Sequence, residues 1–362
     1  MNARISSLRN YIVENNLDAV LISGSVNRRY LSGFTGSAGF LFISRSEAVL
    51  ATDFRYTEQA NSEAPDFEVI RIDGGFSGWM PGLISERGVK RLGFENEDLS
   101  LAVYRRMVTA CRNLAPRLRP ELKGISGAVE SIRETKDSEE ISKMEEAAKL
   151  ADAAVTRAWE SIRPGKTERE LAWELEKYMR ERGSESLPFE IIVASGPNSA
   201  MPHARPTDRN IGECEPIVID LGAKIDGYSS DLTRTLYLGR PDETFKKVYG
   251  TVLRAQSVAM ESIKSGMRGS EVDSKAREVI TEAGYGENFG HGLGHGVGLE
   301  SHERPGLGPN SVDILKPGMV FTIEPGIYIP GWGGVRIEDM ILWGGEEPRF
   351  ITRAQKKRFV ED

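Results

Sequence analysis

Apolar positions in the first third of the chain fall into short runs separated by helix-like stretches. Ala19 to Ile22, Gly39 to Ile43, Ala48 to Ala51, Phe67 to Ile70 and Arg91 to Phe94 read as strands. The spacing near Ile5 to Glu14 and from Leu101 to Ala110 predicts helices. Together these describe a small α/β domain over residues 1–130. A polar stretch, Ser131 to Lys136, follows it. Asp137 then reads as an N-cap with Glu140 completing a capping box, so a long helix from Ser138 to about Ile162 opens a second domain, residues 131–362.

The second domain contains an internal repeat. Ser161-Ile162-Arg163-Pro164-Gly165 precedes a helix that ends near Gly183, and Ser262-Ile263-Lys264-Ser265-Gly266 precedes one that ends near Gly284, an offset of 101 residues at both places. Two copies are too few for a solenoid, and they suit a pseudo-twofold domain in which two half-sheets meet with helices outside them. The alternative is chance similarity of two helical hairpins, whose connections reuse Gly and Pro.

Each half carries a hairpin with two acids. Pro216 to Gly222 reads as a strand, Lys224 to Gly227 as a turn and Tyr228 to Leu238 as the return. A two- or four-residue turn centred on Asp226-Gly227 pairs Asp220 with Thr233 and leaves Asp231 as its diagonal neighbour on the same face. In the other half, Val320 to Glu324 is a strand, Gly331 to Gly334 a glycine-rich turn and Val335 to Ile341 the return. A three-residue loop there puts Glu324 and Glu338 on one face, and a two-residue loop puts them on opposite faces. Carboxylates amid apolar strands need a compensating cation or a raised pKa, unless they face solvent on the wet side of a sheet.

Histidine and composition narrow the choice. All four histidines lie between His203 and His302. His291 and His295 sit in His291-Gly292-Leu293-Gly294-His295-Gly296-Val297-Gly298, too glycine-rich for a helix, and in an extended segment both would point to one side. An imidazole with four carboxylates suits Mn²⁺, Fe²⁺, Co²⁺ or Zn²⁺ in a dinuclear site, and two such ions hold a hydroxide and polarise a carbonyl, which is hydrolase chemistry. The net charge of −7, without a long single-sign block, argues against nucleic acid as a partner. No apolar run approaches membrane-spanning length, and the opening MNARISSLRNYIVENN reads as an amphipathic helix, so a cytoplasmic protein is expected. Cys111 and Cys214 have no metal-ligand spacing and are expected to be reduced structural thiols.

The segments Ile219-Asp220-Leu221-Gly222, Ser230-Asp231-Leu232-Thr233-Arg234-Thr235, His291 to Gly298, Ile323-Glu324-Pro325-Gly326-Ile327-Tyr328 and Gly334-Val335-Arg336-Ile337-Glu338-Asp339 resemble those of the pita-bread metallopeptidases, the group of aminopeptidase P, prolidase and methionine aminopeptidase. The resemblance covers essentially the whole chain. It implies an α/β creatinase-type N-terminal domain, including Asn27 to Phe34, followed by an α+β pita-bread domain with a pseudo-twofold repeat. It further implies that Asp231 and Glu338 bridge two divalent ions, Mn²⁺ foremost, that Asp220 holds one, and that His295 and Glu324 hold the other. Glu324 would also shuttle the proton, and His203 and His302 would orient the peptide and stabilise the oxyanion. His291 would contact the residue after the scissile bond, and Arg336, grouped with it around the substrate, would fix the carboxylates and counter their charge. A homodimer is the family expectation.

With all five ligand positions present, the resemblance points away from the metal-free creatinase branch, and the N-terminal domain points away from methionine aminopeptidases. Two proline-directed activities remain: an Xaa-Pro aminopeptidase acting on peptides of several residues, and an Xaa-Pro dipeptidase. Many prolidases resemble one another in an arginine just after a His-Glu-Xaa-Pro segment. Here His302-Glu303-Arg304-Pro305 is followed by Gly306, which favours the aminopeptidase unless Arg304 substitutes. A non-catalytic binding protein on the same fold is the third reading, disfavoured by the intact ligand set.

Overall fold

The computed structural model describes residues 3–356; the first two residues of the predicted opening helix and the last six of the second predicted domain lie outside it. The chain divides between Arg133 and Glu134 into two compact units.

In the first unit, strands β1 (Ala19–Ile22), β2 (Phe40–Ser44), β3 (Ala48–Thr52), β4 (Glu68–Arg71), β5 (Arg91–Glu95) and β6 (Glu121–Ile125) form one mixed sheet in the order β4-β3-β2-β1-β5-β6. Helices α1 (Ala3–Glu14), α2 (Ser25–Ser32), α3 (Thr57–Glu63), α4 (Met80–Glu86), α5 (Leu101–Arg112) and α6 (Glu130–Arg133) accompany it. The five expected strands and two expected helices are present within a residue or two at each end. The elements that escape the pattern do so for local reasons. Helix α2 buries polar Asn27, Arg28 and Ser32. Asn27 Nδ2 donates to Glu95 Oε1 at 2.6 Å, Arg28 Nη2 to the Gly36 carbonyl at 2.8 Å and Ser32 Oγ to the Arg28 carbonyl at 2.8 Å, while Arg28 Nε is left without a partner. Helix α3 buries only Ala60 and edge strand β6 is mostly exposed, so neither shows an apolar period, while α4 buries Met80, Leu83 and Ile84 at helical spacing but is only seven residues long and contains Pro81 and Gly82.

The second unit opens with α7 (Ser138–Ser161), capped by Asp137 in a box with Glu140, and α8 (Glu168–Arg180). Strands β7 (Ile192–Ser195), β8 (Pro216–Leu221), β9 (Lys224–Ile225), β10 (Tyr228–Ser229) and β11 (Leu232–Tyr237) follow. The second copy begins with α9 (Glu243–Ser262) and α10 (Gly269–Glu282). It continues through β12 (Gly294–Gly296), β13 (Glu303–Leu307), β14 (Val320–Ile323), β15 (Gly326–Ile329), β16 (Gly333–Arg336), β17 (Asp339–Trp343) and β18 (Pro348–Phe350). The repeat is structural. Helices α8 and α10 each follow a glycine with positive φ, Gly165 and Gly266, and each is followed by another, Gly183 and Gly284. Isolated bridges at Thr167 and Arg268, again 101 residues apart, tie the two helix starts to later segments. The half-sheets run β11-β8-β7 and β13-β12-β14-β17-β18, and each has its own core, against α7 and α8 in one copy and α9 and α10 in the other.

Both predicted hairpins form. In the first, Asp220 pairs with Thr233, and Ile225 pairs with Tyr228 around Asp226 and Gly227, both at positive φ as a two-residue type I′ turn requires. The expected continuous return strand is interrupted at Ser230-Asp231, where Ser230 N–H bonds the Ala223 carbonyl. In the second, Ile329 pairs with Gly333 and leaves Pro330, Gly331 and Trp332 as a three-residue loop, the odd length that puts Glu324 and Glu338 on one face. The expected turn is therefore displaced. Gly333 and Gly334 belong to β16, and a Cβ on Gly334 would lie 2.2 Å from the Ser199 carbonyl, so this glycine serves close approach and not turning.

Among the described residues no helix is long and apolar enough to cross a membrane. Cys111 is buried in the first unit and burial pushes its thiol up to about 11, whereas Cys214 is exposed. At pH 8, three units lower, roughly one Cys111 in a thousand is a thiolate. Ellman's reagent is expected to label one thiol per folded chain at pH 8 and both in guanidinium, with Cys214→Ser abolishing the native signal. Equal labelling of both in the folded protein would contradict this.

Candidate metal centre

The interrupted strands aim acidic side chains at one cavity. Asp220 comes from the end of β8, Asp231 from the break before β11, Glu324 from the residue after β14 and Glu338 from the residue before β17. Glu324 and Glu338 escape regular pairing because their N–H groups go elsewhere, to Leu293 O at 2.8 Å and Thr233 O at 3.1 Å. The second of these bonds joins the two hairpins. His295 lies on β12, where a Cβ on Gly294 or Gly296 would come within 2.1 Å of a neighbouring carbonyl; these glycines let the strand sit close enough to deliver the imidazole. The predicted extended run from His291 to Gly298 is thus a strand only over Gly294–Gly296, yet His291 and His295 both line the cavity.

The cavity encloses about 470 Å³ and is lined by all nine residues singled out in the sequence: His203, Asp220, Asp231, His291, His295, His302, Glu324, Arg336 and Glu338. Asp231, His295 and Glu338 present ligand atoms within 4.8 Å of one another. His295 Nε2 is 3.2 Å from Glu324 Oε1 and 3.7 Å from Asp231 Oδ2. Its Nδ1 meets the Gly296 carbonyl at 3.1 Å, and a carbonyl only accepts, so Nδ1 carries hydrogen and Nε2 is the nitrogen turned to the acids. That tautomer is the one a metal-binding imidazole adopts.

The charges do not balance within the protein. Burial first, then the neighbouring carboxylates, raises Asp231 and Glu338 well above the usual carboxylate range. Burial also raises Asp220, against the opposing pull of Arg336. Burial pushes Glu324 in the same direction and is the largest single influence, but its bond to His295 and the nearby charges of His295 and Arg336 together outweigh it and hold the carboxyl below the ordinary range. Arg336 is the compensating cation inside the wall. Its Nη2 donates to Asp220 Oδ2 at 2.7 Å, Nη1 to Tyr328 Oη at 2.9 Å and Pro202 O at 3.3 Å, and Nε to Thr233 Oγ1 at 3.1 Å. These bonds tie Arg336 directly to Asp220 and, through Thr233, to Glu338. Asp220 Oδ1 is buried with no hydrogen-bond partner. An orphaned carboxylate oxygen beside three further acids and an outward imidazole nitrogen fits divalent cations that take oxygen and nitrogen donors.

The remaining histidines differ in their engagement. His291 Nδ1 faces Gly292 O at 2.8 Å and Nε2 faces Tyr328 Oη at 2.9 Å. Burial lowers its pKa and pushes the Tyr328 hydroxyl up to about 12, so a neutral imidazole accepts from a protonated phenol. Both ring nitrogens are therefore already bonded. His203 and His302 are exposed at the cavity, and the His302 ring stacks on His295 with centroids 3.9 Å apart.

Several supporting residues were not singled out. Thr233, expected only as the register partner of Asp220, donates Oγ1 to Glu338 Oε2 at 2.6 Å while accepting from Arg336. Arg234 is wholly buried behind the site; it donates to the Glu338 carbonyl at 2.5 Å, to Asp339 Oδ1 at 2.6 Å and to the Ala354 carbonyl at 2.7 Å. Asp339 also accepts from Gln256 and Lys356, each at 3.0 Å. The available signal was the polarity of Thr233, Arg234 and Asp339 inside otherwise apolar strands.

The match to Metallopeptidase family M24 spans residues 142–344, and that to the Creatinase/Prolidase N-terminal domain spans residues 4–135. The chain belongs to metallopeptidase family M24, with a creatinase-type first domain and a pita-bread second domain. Among similar proteins, the solved Xaa-Pro dipeptidase from Bacillus anthracis shares 42% identity and a TM-score of 0.94, covering 99% of both chains. The Xaa-Pro dipeptidase of Pyrococcus horikoshii is 38% identical over 99% of both. The solved X-Pro aminopeptidase from Thermotoga maritima is 38% identical with a TM-score of 0.88, covering 96% of this chain and 98% of its own.

Replacing two mutually repelling acids by amides of equal shape relieves the repulsion but removes charged ligands. The metal-stripped Asp231→Asn/Glu338→Gln chain is expected to melt roughly 2–6 °C above metal-stripped wild type at pH 7.5. Mn²⁺ should raise the melting temperature of wild type and leave the double variant unmoved. A variant that still responds to Mn²⁺ would contradict the assignment of these acids.

Proposed function

We propose that this chain is an Xaa-Pro dipeptidase working with two divalent metal ions, Mn²⁺ being the ion to load first. The observation that carries the metal assignment is the convergence of Asp220, Asp231, His295, Glu324 and Glu338 on one cavity, with a buried Asp220 oxygen left unpartnered. Asp231 and Glu338 would bridge, Asp220 would hold one ion, and His295 with Glu324 the other. When bound, such ions polarise the scissile carbonyl and supply a nucleophilic hydroxide near neutral pH.

The protein groups around them have distinct tasks. Glu324 takes a proton from the attacking water and passes it to the proline nitrogen as the C–N bond breaks. His302 stabilises the developing oxyanion and His203 orients the peptide. His291, its nitrogens satisfied by Gly292 and Tyr328, forms a fixed wall for the residue after the scissile bond. Arg336 and Thr233 hold Asp220 and Glu338 at their places.

Full-length relatives named Xaa-Pro dipeptidase support the dipeptidase form over the aminopeptidase favoured by Gly306. Gly306 also loses its weight as an argument. It does not line the cavity, its N–H donates to Asp313 Oδ2 at 2.8 Å, and Arg304 pairs with the same carboxylate. The Thermotoga maritima protein keeps the aminopeptidase as the second reading. The deciding assay compares an Xaa-Pro dipeptide with the matched Xaa-Pro-Xaa tripeptide on Mn²⁺-loaded protein. The expected result is a kcat/KM at least about tenfold higher for the dipeptide, and a preference for the tripeptide would hand the function to the second reading.

His302→Ala is expected to lower kcat by roughly 10²- to 10³-fold with metal content unchanged. Loss of metal with unchanged turnover per bound metal would contradict an oxyanion role.

A further inference from the structure

Arg205 is a cation at this cavity that the chemistry above leaves unused. It follows His203 by two positions in a segment without helix or strand, and both line the cavity with Phe189, Glu190 and Ile192. Its guanidinium lies 3.4 Å from Glu190, with the two side chains 83% and 67% exposed. An exposed pair of this kind is weak and is readily exchanged for another partner. The other guanidinium lining the cavity is Arg336, whose donors go to Asp220, Tyr328, Thr233 and Pro202. Arg304 lies outside the lining and is paired with Asp313.

A dipeptide differs from every longer substrate in one respect relevant here. Its free carboxylate sits one residue beyond the scissile carbonyl, about 3.8 Å in Cα spacing, and it must enter a cavity already crowded with acids. An arginine offering paired N–H donors is the side chain that repays that desolvation. We propose that Arg205 receives the free α-carboxylate of the substrate's C-terminal residue, releasing Glu190 to do so, and thereby sets the preference for dipeptides. The assignment rests on the dipeptidase reading above.

The test uses Mn²⁺-loaded full chain with Ala-Pro and its C-terminal amide, which differ in the carboxylate alone. In Arg205→Met the KM for Ala-Pro should rise about tenfold or more with kcat within about twofold, while the KM for the amide stays put. Arg205→Lys should recover part of the loss. Because Arg205 is exposed, metal content and melting temperature should match wild type. An unchanged dipeptide-to-amide ratio in Arg205→Met, an equal rise in KM for both substrates, or loss of the ratio in Arg304→Met would each overturn the assignment while leaving the dipeptidase reading standing. Wild type that does not distinguish Ala-Pro from its amide would overturn both.

Discussion

Mutual repulsion among Asp220, Asp231, Glu324 and Glu338 is the constraint around which the second unit is built. Four carboxylates brought to one cavity cost far more than the folding of a small region can supply unless something positive joins them. Arg336 answers part of the charge through its pair with Asp220, and His295 answers part through Glu324. Asp231 and Glu338 remain displaced well above their ordinary range, and Asp220 keeps a bare oxygen. Divalent cations held by these residues, as proposed above, would resolve what the side chains leave open.

Holding four repelling groups in place requires fixed backbone on both halves of the repeat. The link from Glu338 N–H to Thr233 O, the Thr233 hydroxyl on Glu338 and the Arg234 guanidinium on the Glu338 carbonyl stitch the first hairpin to the second. Arg234 in turn is neutralised by Asp339 and tied to the segment around Ala354. The glycines at 294, 296 and 334 remove side chains where strands or a 3₁₀ turn press together. The positions of these carboxylates are set along the pseudo-twofold seam, with the outer helices supplying burial.

Much of this was legible in the sequence because it obeys period and parity. Asp220 opposite Thr233 followed from pairing around Asp226-Gly227, and the common face of Glu324 and Glu338 followed from an odd loop. The 101-residue offset survived as matching helix starts and glycines. What escaped obeyed neither rule. The break at Ser230-Asp231 comes from a hydrogen bond to Ala223, and Gly333-Gly334 looked like a turn because proximity to Ser199 leaves no trace in a single strand. The buried polar helix at Ser25–Ser32 lacked an apolar stripe, and the significance given to Gly306 assumed a side-chain position that the cavity does not include.

Two divalent metal ions are expected in the seam between the two hairpins. The most direct measurement is a crystal structure of Mn²⁺-loaded protein with anomalous data at the manganese edge. Two anomalous peaks per chain are expected, about 3.5 to 4 Å apart, one bounded by Asp220, Asp231 and Glu338 and the other by Asp231, His295, Glu324 and Glu338. Peaks elsewhere, or protein saturated with Mn²⁺ that shows none among these five side chains, would contradict this.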